Sequence, residues 1–313
     1  MIFGGGMMAL LAAAAFWRLA PRKLGQAEFE ARYSVPLAPP QKALSVFHLG
    51  HSLVGRDMPV MLDQLADAAG FPAHSHASQL GWGTSLDQHR QGPEAVAGFA
   101  QENAHPMHKE VRGALLFGQY DAVVMTEMVD IQDAIRYHDS ANALAYWAAF
   151  ARAANPQVRL YLYETWHQLD DAQGWLARID ADFTRAWQDG LLRVAMADES
   201  AGTIHIIPGG QVLAAVTRAI EAGEVPGLTR REDLFAQDAT GAVDPIHLND
   251  LGAYLIALTH FAVLYHRNPQ GLPGSLMRAD GQAATPLPDA ALDPLQRLVW
   301  QVVTRYAFTG VAH

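Results

Sequence analysis

Three residues in this 313-residue chain have the types needed to build a nucleophile. Ser52 follows the run Leu44-Ser45-Val46-Phe47-His48-Leu49-Gly50-His51, and Asp244 and His247 stand far downstream in Asp244-Pro245-Ile246-His247. A serine hydroxyl is a weak nucleophile at neutral pH. It becomes effective when an imidazole within hydrogen-bond reach takes its proton and a carboxylate fixes that imidazole's tautomer. Asp244 and His247, three residues apart, suit the last two roles if they share a helical turn that Pro245 stiffens. The spacing alone is weak, because Asp-x-x-His recurs by chance. The competing reading makes Asp244 the cap of a helix beginning near Asn249 and His247 an ordinary surface histidine.

The elements that must position these residues are legible as alternation. The apolar run ending at Gly50-His51-Ser52 is strand-like, and a helix follows with Asp57 as cap, Pro59 in its first turn and Gly70 beyond its end. Residues 73–79 suggest a second strand, leading into Gly81-Trp82-Gly83-Thr84-Ser85-Leu86, whose glycines mark a tight turn with uncovered backbone N–H groups. Residues 92–118 read as helix broken at Pro93 and Pro106. Tyr120 to Glu127 is a buried strand and Tyr137 to Ala154 an amphipathic helix closed by Asn155-Pro156. Gln157 to Thr165 is the next strand, a helix spans about 172–189, and Thr203 to Ile207 is the last strand before Pro208-Gly209-Gly210 and another helix. Asn249 to His266 is a long apolar helix, and Leu292 to Phe308 another. Five strands separated by helices predict a three-layer α/β/α sandwich around a mostly parallel five-stranded sheet. Reactive groups then collect at the carboxyl ends of the strands, where Ser52 stands.

Taken in this order, the blocks resemble the SGNH (GDSL-like) hydrolase superfamily, over roughly residues 43–266. Gly50-His51-Ser52-Leu53 stands for its Gly-Asp-Ser-Leu, Gly81-Trp82-Gly83-Thr84-Ser85-Leu86 for its glycine block, and Asp244-Pro245-Ile246-His247 for its Asp-x-x-His. The resemblance implies a flavodoxin-like sheet and a serine esterase or deacetylase of small acyl esters, often acetyl groups on carbohydrate. It implies Ser52 as nucleophile, His247 as general base and acid, Asp244 as its orienting carboxylate, and the Ser52 and Gly83 N–H groups as oxyanion donors. The third block departs from the pattern. Where the superfamily has Gly-x-Asn-Asp, this chain has Thr126-Glu127-Met128-Val129-Asp130, so the side-chain amide donor is missing. Losing one such donor costs on the order of 3 kcal/mol. An ionised Glu127 cannot donate, which leaves Thr126 or Ser85 as substitutes and a structural carboxylate as the plain reading of Glu127. His89, Trp166 and His167 are further candidates for the pocket wall. Two other functions stay open: an envelope polysaccharide O-acetyltransferase, and a non-catalytic carbohydrate-binding protein on a decayed hydrolase scaffold. The α/β-hydrolase nucleophile motif Gly-x-Ser-x-Gly is not matched, since Gly50 to Gly55 holds one residue too many.

Composition bounds these readings. A net charge of −10 with no basic cluster argues against a nucleic-acid partner. With no cysteine there is no disulfide, thiolate zinc site or cysteine nucleophile. No cofactor or metal is expected: His74/His76 and His105/His108 lack a carboxylate-rich partner motif and read as structural. Met1 to Trp17 is uncharged and mostly apolar, shorter than the roughly 20 residues of a spanning helix, and is followed by Arg18, Arg22 and Lys23. We expect residues 1–25 to be a hydrophobic anchor or export segment, with a buried helix as the alternative. Residues 26–42 read as a surface linker, 43–270 as the hydrolase-like domain, and 271–313 as a Pro/Gly-rich connection with a C-terminal helix on the same domain. The expected location is the cell envelope, periplasmic or membrane-anchored, and the cytoplasm otherwise.

Overall fold

The structure is a computed structural model that describes residues 22–312. The expected anchor, apart from Arg22 to Gly25, lies outside these residues. Among the described residues, no helix is long and apolar enough to cross a membrane.

Five parallel strands form the central sheet: β1 (Ser45–Leu49), β2 (Ser75–Gln79), β3 (Ala122–Met125), β4 (Arg159–Glu164) and β5 (His205–Pro208), in the order β2-β1-β3-β4-β5. The sheet is buried on both faces, and β1, β3, β4 and β5 are largely apolar; the edge strand β2, Ser75-His76-Ala77-Ser78-Gln79, is not. Side-chain alternation divides the core. Val46, Val124, Tyr163 and Ile207 face one helical layer, while Phe47, Leu49, Val123, Met125 and Leu162 face the other. The first layer holds α2 (Asp57–Ala68), α8 (Gly209–Glu221), α9 (Asp250–Tyr265) and α10 (Asp289–Arg305). The second includes α1 (Gln26–Ala31), α4 (Val111–Leu116) and α6 (Ser140–Ala154). This is the flavodoxin-like three-layer sandwich. The strand order reverses between β1 and β3, so the crevice for a ligand opens beyond the carboxyl ends of those two strands.

Helix α9 is buried all round, as its unbroken apolar sequence requires, because α2, α8 and α10 surround it. Several expectations are corrected. The helix expected from Tyr137 starts at Ser140 as α6, after Asp139 adopts φ 49°, and a separate helix that was not anticipated, α5 (Ile131–Tyr137), precedes it. The helix expected over 172–189 is α7 (Trp175–Asp182), which widens into π-helical turns over Phe183–Leu192. Asp57 begins α2 without capping it; its Oδ1 instead accepts from Ala279 N at 2.7 Å. The stretch read as a surface linker carries α1, whose Phe29 is buried against Tyr33 and Phe308. Apolar side chains at helical spacing within a charged segment hid that packing. A second, antiparallel sheet of β6 (Phe235–Gln237) and β7 (Val243–Leu248) was also not anticipated.

Several histidines are sealed in this core. His48 on β1 has neither ring nitrogen partnered among the described residues, nor has His260 Nε2 on α9, and their ring centroids lie 5.8 Å apart. Burial pushes His48 well below the ordinary imidazole range and lowers His260 to about 4. Burial likewise lowers His205 to about 4, although its hydrogen bond to the Phe308 backbone acts the other way. These groups stay neutral in the fold while the unfolded chain takes up protons near pH 6.5. Their contribution is therefore complete above about pH 6.5 and is lost as pH falls toward 4. Buried Glu127 and Glu164, pushed up by burial to about 7 and about 8, act in the opposite sense but are outnumbered. Melting temperature should fall between pH 7 and pH 4.5, and the His48→Leu variant should show a shallower fall. A wild-type profile that is flat or rises toward acid would contradict this account.

Candidate active site

Ser52 sits in the turn that leaves β1. That turn is tight because Gly50 lies against β3: a Cβ there would run into Thr126 Cγ2. Two neutral histidines brace it. His51 Nε2 donates to Glu127 O at 2.8 Å, and His89 Nε2 donates to Gly50 O at 2.7 Å while its Nδ1 accepts from Gln79 Nε2 at 2.9 Å. Burial lowers both to about 4, against backbone hydrogen bonds that pull the other way, so each keeps one tautomer at neutral pH. His51 thus ties the serine turn to the segment that follows β3.

His247 and Asp244 are brought to Ser52 from the other end of the domain. Ser52 Oγ lies 3.0 Å from His247 Nε2, and His247 Nδ1 lies 2.9 Å from Asp244 Oδ2. The pair is not on a helical turn. It lies on β7, where residues three apart would ordinarily face opposite sides. The chain curls instead because Asp244 Oδ1 accepts from Ile246 N at 2.8 Å and His247 N at 2.9 Å. Burial pushes the Asp244 carboxyl up, but these two backbone bonds and the imidazole outweigh it and hold the group below the usual carboxylate value. The cap of the following helix is Asn249, whose Oδ1 accepts from Gly252 N, so Asp244 is not needed for that task. β7 is anchored to the loop after β4 by Trp166 Nε1 donating to Ile246 O and Leu169 N donating to Pro245 O, each at 2.8 Å.

An ionised Asp244 accepts the Nδ1 proton, which leaves the Nε2 lone pair facing the Ser52 hydroxyl. The arrangement can remove that proton as Oγ attacks an acyl carbon. A cleft of about 510 Å³ opens over it, lined by Ser52, Gly83, Trp82, Glu102, Gln168 and His247 among others. Gly83 has φ +52°, and neither its N–H nor that of Ser52 donates within the protein among the described residues. A smaller pocket of about 130 Å³ adjoins Ser52 and His247 and is walled by Leu53, Met58, Trp166, Ala253 and Ile256. The Trp82 ring is half exposed, lies over Gly98, where a Cβ would strike the indole, and its Nε1 donates to Glu102 Oε1 at 2.7 Å.

Of the other expected wall residues, only Trp166 borders the serine. Thr126 is buried and its hydroxyl donates to Tyr163 O at 2.7 Å, so it is committed to the sheet. Ser85 is the buried cap of α3 (Leu86–Gln91), closed by a reciprocal bond with Gln88. Glu127 is buried beneath the cleft and accepts from Met128 N at 2.8 Å and Leu86 N at 3.3 Å, the structural reading. His89 lies under the serine turn, and His167 is buried with Nε2 3.3 Å from Asp182 Oδ2. These corrections share one cause: a polar residue at a strand end also serves the backbone of neighbouring loops, and sequence cannot separate the two. Glu102, Val129, Gln168 and Ile246 line the cleft without having been singled out. Gln168 had a signal, since it directly follows the polar end of the fourth strand.

Among the described residues, Asp130, His167 and Asp171 place one ligand atom each within 4.8 Å of one another. Arg178 already occupies that charge environment, with Nη2 2.6 Å from Asp130 Oδ2 and Nη1 2.9 Å from Asp171 Oδ2. Elsewhere His74 and His76 flank a single carboxylate, Asp63, at 3.5 and 2.8 Å, which holds them as structural groups.

No family model matches the chain, and no curated protein matches it. Among solved structures it is similar to a protein from Parabacteroides merdae ATCC 43184 described as a GDSL-like lipase, with 13% identity, 72% of this chain and 96% of that one covered, and a TM-score of 0.43. It is also similar to a carbohydrate esterase family 3 from Talaromyces cellulolyticus, with 16% identity, 71% and 97% covered, and a TM-score of 0.35. Both likenesses are remote, and the fold stands on the strand order itself.

Proposed function

We propose that the protein is a serine esterase that cleaves small acyl esters through an acyl-enzyme on Ser52. The observation that carries this reading is the unbroken line Ser52 Oγ–His247 Nε2–Nδ1–Asp244 Oδ2, at 3.0 and 2.9 Å. His247 takes the Oγ proton as Oγ bonds to the ester carbonyl carbon, and the charge on the carbonyl oxygen is met by the Ser52 and Gly83 N–H groups. The imidazolium then protonates the leaving alcohol. Water, deprotonated by the same ring, attacks the acyl-enzyme, and Oγ recovers its proton as the acid departs. Asp244 holds the ring in the tautomer that makes both transfers possible.

The pocket of about 130 Å³ beside Ser52 accommodates a short acyl chain, from acetyl to a few carbons, against Leu53, Met58, Trp166, Ala253 and Ile256. On the other side of the serine, the exposed Trp82 face suits the alcohol half of the ester, and a carbohydrate ring is the partner we assign to it. A fluorophosphonate probe should label the folded wild-type protein at Ser52, located by peptide mass spectrometry, and should not label Ser52→Ala. A folded wild-type protein that resists the probe would remove the hydrolase reading and leave a carbohydrate-binding role.

A further inference from the structure

The proposed chemistry lacks the side-chain amide that the third sequence block normally supplies, and the structure shows which groups cannot replace it. The Thr126 hydroxyl is spent on Tyr163 O, and Ser85 caps a helix. Glu127 is fully buried, does not line the cleft, and is engaged by the N–H groups of Met128 and Leu86. Within the cleft, His51 Nε2 donates to Glu127 O and Trp82 Nε1 donates to Glu102. One cleft-lining side chain with N–H donors is left. Gln168 is exposed, lines the same cleft as Ser52, Gly83 and His247, and its amide makes no hydrogen bond among the described residues. Its backbone is nonetheless fixed. Trp166 on one side and Leu169 on the other are bonded to Ile246 O and Pro245 O of the strand that carries the Asp244–His247 pair. Gln168 is therefore set in register with the imidazole, on a loop after β4 rather than after β3.

Resting on the esterase reading, we propose that Gln168 is the third oxyanion donor, its Nε2 hydrogen-bonding the developing charge on the acyl oxygen together with the Ser52 and Gly83 N–H groups. The loop after β4 thus takes over a task that the end of β3 has given up. Because the side chain holds nothing else in place, its loss should not disturb folding. The interaction strengthens as charge develops, so its removal should fall on kcat and leave KM nearly unchanged.

The test is steady-state hydrolysis of p-nitrophenyl acetate by wild type, Gln168→Ala, Gln168→Glu and Ser52→Ala, with melting temperatures for each. Gln168→Ala should lose about 10²-fold in kcat with KM within threefold, and Gln168→Glu, which replaces the donor with a repelling carboxylate, at least as much. Melting temperatures should match wild type. Wild-type kcat in both Gln168 variants, with Ser52→Ala inactive, would overturn the donor and leave the esterase reading standing. A loss confined to KM would also overturn it, as would a loss accompanied by a fallen melting temperature. Activity that survives in Ser52→Ala would remove both.

Discussion

Ser52→Ala should lower kcat for an acetyl ester by about 10⁶-fold, and Asp244→Asn by about 10⁴-fold, with both variants fully folded. The first figure follows from removing the atom that forms the acyl bond. The second follows from a proton. The amide introduced by Asp244→Asn would still offer an oxygen to the N–H groups of Ile246 and His247, which Asp244 Oδ1 now receives at 2.8 and 2.9 Å, so the curl in β7 should survive. Its other terminus would be an NH₂ facing His247 Nδ1. A donor there makes Nδ1 the acceptor and places the ring proton on Nε2, which lies 3.0 Å from Ser52 Oγ and must be bare to accept its proton. Stopped-flow measurement of acyl-enzyme formation should show Asp244→Asn limited at acylation. Equal activity in wild type and Asp244→Asn would mean that the carboxylate does not set the tautomer.

Arg178→Met should destabilise the protein by about 3 kcal/mol, or ~5 °C in Tm. Arg178 is 5% exposed and gives Nε to Asp182 at 3.0 Å, Nη1 to Asp171 at 2.9 Å and Nη2 to Asp130 at 2.6 Å. Asp182 itself is fully buried and is also bonded by Arg185 and Gln132. Burial raises its carboxyl, but His167 and these cationic and amide donors overcome that and drive it far below the ordinary carboxylate range. Methionine would fill the volume and leave the buried Asp182 carboxylate facing the half-buried Asp130 and Asp171 without the guanidinium. Removing one member of a buried charged group is costly because the remaining charges have lost their solvent and their partner together. Asp171 closes the loop that carries Trp166 and Gln168, so activity should decline with stability. Thermal denaturation at neutral pH measures the effect, and a change within about 0.5 kcal/mol would show that Arg185 and Gln132 suffice.

Four strands were legible because they are buried on both faces and leave an apolar signature, while the edge strand β2, Ser75-His76-Ala77-Ser78-Gln79, was legible only from the alternation of strands with helices. The three residues of the proposed nucleophilic line were legible by type and order, and the structure sets them side by side. How they are held was not. Periodicity suggested a helical turn for Asp244 and His247, whereas an aspartate bonded to its own downstream backbone makes the same spacing work on a strand. β7 has a Pro inside it and a three-residue partner, so it carried no strand signal. The polar residues at the ends of β3 and β4 all looked like pocket walls. Burial assigned Thr126, Glu127 and His167 to backbone and ion-pair duties, and the cleft instead received Gln168, a residue whose type alone says nothing.

The serine and its imidazole are 195 residues apart along the chain. During synthesis, the first β-strand with its serine leaves the ribosome long before its base exists as part of a folded element. Every strand of the main sheet and most of its covering helices must be laid down before β7 can close over the crevice. A polypeptide interrupted anywhere before His247 would therefore carry an inert hydroxyl on a partly built scaffold. Hydrolytic capacity, under the proposed reading, arrives in one late step rather than growing as the chain lengthens, and loss of the β7 contacts alone would extinguish it while the sheet stayed intact.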